Sequence, residues 1–243
     1  MKTLRYLAVS LLILIALWAT SGAFAYEAVE VKDGGTISGK VKFTGAPPAP
    51  EEIKTTKDQK VCGDTKTLEK LVVSKDGGIK NAVVYITKID KGKKLETVAE
   101  NHSIDQKSCE FQPHVLITPV ETEVKIINSD GILHNIHTYT FDNAPINKAM
   151  PGTVKEMTTM FELPEQPIKV RCDAHEWMGA WVFAVEHPYY AKTDENGAFN
   201  LTDVPPGTYT LEVWHETLGK QTKDVTVEAG KTAEVTFELA PKK

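Results

Sequence analysis

Three residues that can bind a soft metal ion lie close together in one segment of the chain. Cys172, His175 and Met178 follow one another at Cys-x-x-His-x-x-Met spacing, which combines a thiolate, an imidazole and a thioether. Such ligands suit copper, which moves between Cu(I) and Cu(II), whereas a tetrahedral zinc site favours more thiolate or histidine and no thioether. The spacing therefore predicts a copper site, and this kind of site needs a second histidine from elsewhere in the chain.

The best candidate for the second histidine is His134. An apolar strand pattern at residues 124–127 leads into a glycine turn and then into His134 and Asn135. His137 is the alternative. Residues three apart on an extended strand point to opposite faces, so only one of the two histidines can readily face Cys172.

The two segments together resemble a known family. The order Asn-x-Asp-x-x-x-His-Asn followed by Cys-x-x-His-x-x-Met is similar to the cupredoxins, the relatives of plastocyanin and amicyanin, and it covers roughly residues 108–187. The two-residue gap between His175 and Met178 is more similar to amicyanin than to plastocyanin, whose loop is longer there. The resemblance implies a type 1 (blue) copper site with four ligands, the last of them weak and axial: His134, Cys172, His175 and Met178.

The same resemblance implies two further roles around the metal. Asn135 is expected to tie the two ligand loops together by a hydrogen bond behind the ligands. His175 is expected to present its ring edge at the protein surface, as the point where an electron enters or leaves.

The chain has three cysteines, and an odd number raises the question of which one is not in a disulfide. If copper holds Cys172, then Cys62 and Cys109 pair, which an oxidising compartment permits. The alternative is that all three cysteines are buried, reduced thiols.

Residues 1–25 have the pattern of a signal peptide, with two basic residues, an apolar run at residues 6–18 and a small-x-small cleavage motif at residues 23–25. The apolar run is shorter than the roughly 20 residues that span a bilayer. We therefore expect cleavage before Tyr26, no stable membrane insertion afterwards, and a periplasmic or secreted product.

The mature chain is expected to be mildly acidic. Removing residues 1–25 leaves 26 basic against 33 acidic residues. Nucleic-acid binding requires a basic stripe, and the sequence contains none, so we expect no nucleic-acid partner. The negative charge leaves room for a basic protein partner.

The rest of the sequence predicts an all-β protein. Short alternating apolar and polar segments are separated by Pro, Gly and Asn, and no segment keeps a helical period. Residues 88–107 are polar and are predicted to be a loop. In the C-terminal part we predict two hairpins, one over residues 193–201 around Asn196-Gly197 and one over residues 223–239 around Ala229-Gly230.

The C-terminal part resembles a second family. The series Thr-Asp-x-x-Gly-x-Phe and Pro-Pro-Gly-Thr-Tyr-x-Leu at residues 193–211 is similar to the carboxypeptidase regulatory-like modules, which are small prealbumin-type (transthyretin-like) β-sandwiches. Two strands that precede this series in the family fit residues 39–41 and 82–84, far upstream. We predict a cupredoxin Greek-key β-sandwich at residues 108–187, inserted into a discontinuous regulatory-like β-sandwich of residues 34–107 and 188–240. The alternative is two domains in plain succession.

These features predict an exported blue-copper protein that shuttles single electrons between redox partners. The four ligands leave no open position for a substrate, so we expect no enzymatic activity. A protein partner such as a c-type cytochrome or a dehydrogenase is expected. One alternative is a periplasmic copper-binding or copper-delivery protein, and another is a non-metal adhesion or carbohydrate-binding β-sandwich, which only the regulatory-like module suggests.

Overall fold

The fold is built almost entirely from β-strands, which confirms the predicted fold class. The computed structural model describes residues 26–95 and 101–241, so the predicted signal peptide lies outside the described residues. The described part of the chain contains twenty strands and one four-residue helix, α1 (Gln59–Cys62). Among these residues, no helix has the length and apolar character to cross a membrane.

The strands fall into six sheets, of which four are large. In chain order the strands are β1 (Glu27–Ala28), β2 (Gly35–Phe43), β3 (Glu52–Lys54), β4 (Thr65–Thr67), β5 (Val83–Ile86), β6 (Lys91–Gly92), β7 (Ser103–Lys107), β8 (Glu110–Gln112), β9 (Val115–Pro119), β10 (Val124–Asn128), β11 (His134–Tyr139), β12 (Asn147–Met150), β13 (Glu156–Thr159), β14 (Glu165–Arg171), β15 (Gly179–Val185), β16 (Tyr190–Lys192), β17 (Ala198–Val204), β18 (Gly207–His215), β19 (Gly219–Val227) and β20 (Thr232–Leu239).

Strands β7 to β15 form a β-sandwich, which we call the inner sandwich. A four-stranded sheet in the order β13-β10-β7-β8 packs on a five-stranded sheet in the order β12-β11-β14-β15-β9. Apolar side chains from both sheets meet in one core, including Ile104 and Ile126 on one side and Ile136, Ile168 and Val182 on the other. This core is what alternating strands with one apolar face must build.

A second β-sandwich, the outer sandwich, combines strands from before and after the inner one. Its sheets have the orders β16-β5-β18-β19 and β17-β2-β20. Strand β2 lies between β17 and β20, and β5 lies between β16 and β18, so both sheets need strands from both sides of the inner sandwich. An inserted inner domain requires this kind of pairing. The boundaries predicted for the two domains, at residues 107/108 and 187/188, stay a prediction.

The two sandwiches pack on each other through a third apolar core. Alternate residues of β5 point to different cores: Val84 and Ile86 face the interior of the outer sandwich, while Val83 and Tyr85 face the inner sandwich. Strand β15 does the same, with Phe183 and neighbouring large side chains facing the outer sandwich. Both strands are therefore buried on both faces, which explains their continuous apolar sequences.

Two sequence predictions about local structure are wrong. Ser103–Lys107, inside the predicted loop, form β7 between β10 and β8. The buried face of β7 carries Ile104 and the polar Gln106, so the strand lacks an alternating apolar pattern. The strands of both predicted C-terminal hairpins lie in different sheets, since β16 and β17 are not paired and neither are β19 and β20. The hairpin that forms in this C-terminal part is β18–β19, around residues 216–218.

A buried carboxylate holds one corner of the inner sandwich together. Glu165 accepts hydrogen bonds from the backbone N–H groups of Phe141, Asp142 and Asn143 at 2.6–3.2 Å and from the side-chain amide of Asn143 at 3.0 Å. Burial raises the pKa of the Glu165 carboxyl. The hydrogen bonds favour its charged form and outweigh burial, so the pKa lies below its usual value of 4.5.

We predict that Glu165→Gln destabilises the protein by about 1–3 kcal/mol at pH 7, because an amide cannot accept all these bonds. The depressed pKa means that the carboxylate stabilises the fold above about pH 4.5, and that this contribution is lost as pH falls through the folded-state pKa. Urea unfolding of both proteins between pH 7 and pH 3 should therefore show a gap that closes at low pH. Glu162→Gln, an exposed change in the same corner, is the control, and a gap that is constant with pH contradicts the assignment.

Candidate metal centre

Three of the four predicted ligands meet at one end of the inner sandwich. His134 opens β11, Cys172 follows the end of the neighbouring β14, and His175 lies in the turn that leads to β15. The Cys172 Sγ lies 3.9 Å from the His134 Nδ1 and 3.8 Å from the His175 Nδ1, and the two nitrogens are 3.1 Å apart. All three side chains are at most 1% exposed.

This triangle of donor atoms has the dimensions of a metal site. Atoms bound to one ion at about 2.0 Å for imidazole nitrogen and about 2.3 Å for thiolate sulfur must lie roughly 3–4 Å from one another. The three measured separations fall in that interval, and Cys172 is the one free cysteine among the described residues. A trigonal set of two imidazoles and one thiolate is the arrangement that type 1 copper prefers.

Met178 is brought back to the site by a tight turn. Its N–H donates to the His175 carbonyl at 2.9 Å, and its own carbonyl accepts the Cys172 N–H at 3.3 Å. The Met178 side chain is buried in the same apolar cluster as Cys172. The loop thus carries the thioether of Met178 into the apolar core that also holds Cys172.

The structure places His134, not His137, next to Cys172. The His137 side chain is 27% exposed, stacks on Tyr139, and pairs with the Asp173 carboxylate at 3.0 Å. This is the expected consequence of a three-residue spacing on a strand.

Asn135 joins the two ligand loops by hydrogen bonds. Its Oδ1 accepts the N–H groups of Asp173 at 2.5 Å and Ala174 at 3.3 Å, and its Nδ2 donates to the Asp173 carboxylate at 3.0 Å. Its backbone N–H points to the Cys172 Sγ at 3.5 Å. Asn135 therefore orients the cysteine from two directions.

The His134 ring is fixed by a carboxylate on its far side. Its Nε2 lies 2.9 Å from Asp130, which also accepts the backbone N–H groups of Ser108 and Cys109. Burial lowers the pKa of His134, and repulsion from His175 acts in the same direction, although the Asp130 hydrogen bond opposes both. The result is a neutral imidazole, which a metal ligand must be.

The expectation that His175 is exposed is wrong. Its side chain is 1% exposed, and its Nε2 lies 3.0 Å from the carboxylate of Asp58. Asp58 belongs to residues 52–67, which we call the cap segment: the β3–β4 pair with α1 between its strands. The cap segment covers the ring edge that was expected to face solvent.

The cap segment is fastened over the site by a disulfide and by polar contacts. Cys62, at the end of α1, is bonded to Cys109 in the turn between β7 and β8. The indole N–H of Trp177 donates to the Cys109 carbonyl at 3.1 Å, and its ring packs against His175 with the centroids 5.1 Å apart. The disulfide therefore links the cap segment to the β7–β8 turn, and the Trp177 hydrogen bond links that turn to the loop that carries Cys172 and His175.

Sequence reasoning missed both carboxylates that hold the histidines. Asp130 lies four residues before His134, inside the motif that carries the cupredoxin resemblance, so its position gave a usable signal. Asp58 lies 117 residues from His175 in a charged connector, and no local pattern distinguishes it from its neighbours.

A comparison with family profiles adds one match. The profile of the carboxypeptidase regulatory-like domain matches residues 178–240. The match begins at Met178, yet β15 hydrogen-bonds to β14 and β9 in the inner sandwich, and only β16 to β20 of the matched strands belong to the outer one. The comparison with curated proteins gives no match.

Among solved structures, the chain is similar to copper proteins. A purple cupredoxin from Nitrosopumilus maritimus is 23% identical over 35% of this chain and 100% of its own, with a TM-score of 0.30. An oxidised single-residue mutant of amicyanin is 17% identical over 42% of this chain and 98% of its own, with a TM-score of 0.31. A copper-containing nitrite reductase from Thermus scotoductus SA-01 is 19% identical over 42% of this chain, with a TM-score of 0.33, and the match spans a quarter of that enzyme.

We predict that Asn135→Ala destabilises the metal-free protein by about 1–3 kcal/mol, because the partly buried N–H groups of Asp173 and Ala174 lose their acceptor. Thermal or urea unfolding without metal measures the loss. Asn200→Ala, at an exposed position of the outer sandwich, should change the stability by less than about 0.5 kcal/mol. Equal effects of the two substitutions would show that Asn135 does not tie the loops.

Proposed function

We propose that this protein is an exported type 1 copper protein that carries single electrons. The observation that carries the proposal is the buried triangle of His134, Cys172 and His175, with donor atoms 3.1–3.9 Å apart. No other grouping of possible ligands among the described residues offers a free cysteine with two imidazoles.

In this proposal the three residues hold one copper ion and Met178 supplies a weak fourth contact. Bound copper would supply a centre that gains and loses one electron. The chain keeps the donor atoms in place when the charge changes, because Asn135 and the two carboxylates fix the ligands from outside. Burial excludes water, so no position is left for a substrate, and we propose a carrier and not an enzyme.

The cap segment changes the route by which an electron would reach the site. The His175 ring edge is occupied by Asp58, so direct contact between this ring and a partner is blocked. Trp177 packs against the His175 ring and is half buried, so its indole offers an aromatic link from that ring toward solvent. We propose that a protein redox partner docks near Trp177.

The tight closure favours a carrier over a delivery protein. A donor of Cu(I) needs ligands that an acceptor can reach, whereas here all three are at most 1% exposed under a disulfide-fastened cap segment. Export to the periplasm or beyond fits a chain with a disulfide, because such bonds persist in oxidising compartments.

We predict that the mature protein with Cu(II) develops an intense visible charge-transfer band and that Cys172→Ser abolishes it. His134→Ala should also remove the band, and His137→Ala should leave it in place, because only His134 faces the thiolate. Absorption and electron paramagnetic resonance spectra measure both effects. A colourless wild-type protein, or rapid loss of its copper to chelators, would contradict the carrier proposal.

We predict that Asp58→Asn raises the copper reduction potential. A carboxylate that accepts the His175 N–H makes the imidazole a better donor, which favours Cu(II) over Cu(I). If Cu(II) binding weakens 10–100-fold and Cu(I) binding is unchanged, the potential rises by about 60–120 mV. Protein-film voltammetry measures the change. Asp64→Asn removes an exposed charge from the same cap segment, and an equal rise in that variant would attribute the effect to charge alone.

A further inference from the structure

A cavity of about 560 Å³ lies between the inner sandwich, the outer sandwich and residues 67–70, where the cap segment ends. This volume is in the range of sites that bind small organic molecules. Trp177 and Met178, the proposed weak fourth ligand, contribute to its wall, but the three proposed strong ligands His134, Cys172 and His175 do not. The cavity is therefore separate from the donor triangle, although it adjoins it.

The aromatic part of the wall is rigid. Trp181 packs edge-on against Trp214, with the ring centroids 5.1 Å apart, and Trp177 is held by its hydrogen bond to the Cys109 carbonyl. The indoles of Trp177 and Trp181 are half buried, and the buried Phe111 lies in the same wall. Fixed aromatic faces bind a flat ring without losing side-chain freedom.

Three cations in the wall have hydrogen-bonding capacity to spare. Lys169 and Arg171 lie on one face of β14, and the Lys169 Nζ is 6.0 Å from the Trp181 ring centroid. Arg171 donates to the Glu176 carbonyl at 2.8 Å, and Lys192 of the outer sandwich donates to the Val115 carbonyl at 2.9 Å. Among the described residues, no carboxylate lies within 4.0 Å of these three cations, since none of them is in an ion pair.

The acids in the wall are engaged elsewhere or exposed. Glu69 pairs with Lys80 at 3.3 Å, and Glu216 pairs with His114. Glu110 is bound by a lysine of the cap segment, and the remaining acids are exposed: Glu176, Asp194 and Glu195. Free donors beside aromatic faces are the combination that recognises a flat molecule with a negative group.

We infer that this cavity binds a small aromatic anion, a carboxylate or sulfonate on one or two fused rings. The ring packs against Trp181, and the anionic group meets the donors of Lys169, Arg171 and Lys192. Both sandwiches contribute to the site, which gives the outer sandwich a role in binding.

Gly179 offers a steric test of the location. It lies opposite Arg171 in the β14–β15 pair and lines the cavity. A Cβ atom there would meet only the Val170 carbonyl oxygen, at 3.8 Å. The Cβ of Gly179→Val therefore meets no backbone clash, and its added methyl groups take up space in the cavity wall without removing any of the three cations.

The experiment measures binding of 2-naphthoate and of its neutral analogue 2-naphthamide to the copper-free mature protein. Isothermal titration calorimetry and quenching of tryptophan fluorescence report the affinity. We expect naphthoate to bind at least 10-fold more tightly than naphthamide. Lys192→Met and Arg171→Gln should each weaken naphthoate binding at least 10-fold and leave naphthamide binding unchanged, and Gly179→Val should weaken both ligands. Lys125→Met, at an exposed site on β10, is the matched control.

Three results would overturn the inference: no saturable binding of naphthoate, equal affinity for the two ligands, or binding that Gly179→Val leaves unchanged. Thermal unfolding of each variant verifies that it is folded, and Lys192→Met alters an exposed side chain, so at least one informative variant is expected to fold. Because no copper is present, failure here is separate from failure of the copper proposal.

Discussion

Two hydrogen bonds between carboxylates and imidazoles determine the geometry of the candidate metal centre. Asp130 holds the Nε2 of His134 and Asp58 holds the Nε2 of His175, so both Nδ1 atoms are directed at Cys172. Loss of either bond would remove the polar contact that fixes the orientation of that ring. The same bonds keep the protons on the far nitrogens, which leaves the near nitrogens free to bind a metal.

The two carboxylates come from different parts of the structure. Asp130 is part of the inner sandwich and lies in the loop that precedes its own histidine. Asp58 belongs to the cap segment, which precedes the inner sandwich in the chain and is joined to it by the Cys62–Cys109 bond. The centre is thus completed by a segment outside the β-sandwich that supplies its ligands. This arrangement also explains why the His175 ring is buried.

Much of the centre could be predicted because its ligands are close in sequence or follow the period of a strand. Cys172, His175 and Met178 lie in one turn, and the parity of a strand separates His134 from His137. Asp58 could not be predicted, since its contact depends on how the cap segment folds back. The C-terminal turns were located correctly, but their residues do not specify which sheet receives the next strand, so both hairpins were misassigned. Strand β7 was missed because the buried Gln106 breaks its apolar pattern.

The disulfide makes the cover over the candidate centre sensitive to redox conditions. Among the described residues, the Cys62–Cys109 bond is the cross-link between the cap segment and the inner sandwich. Reduction of this bond would leave Asp58 held over His175 by non-covalent contacts alone. Access of solvent to the buried His175 ring therefore depends on the thiol–disulfide balance around the protein.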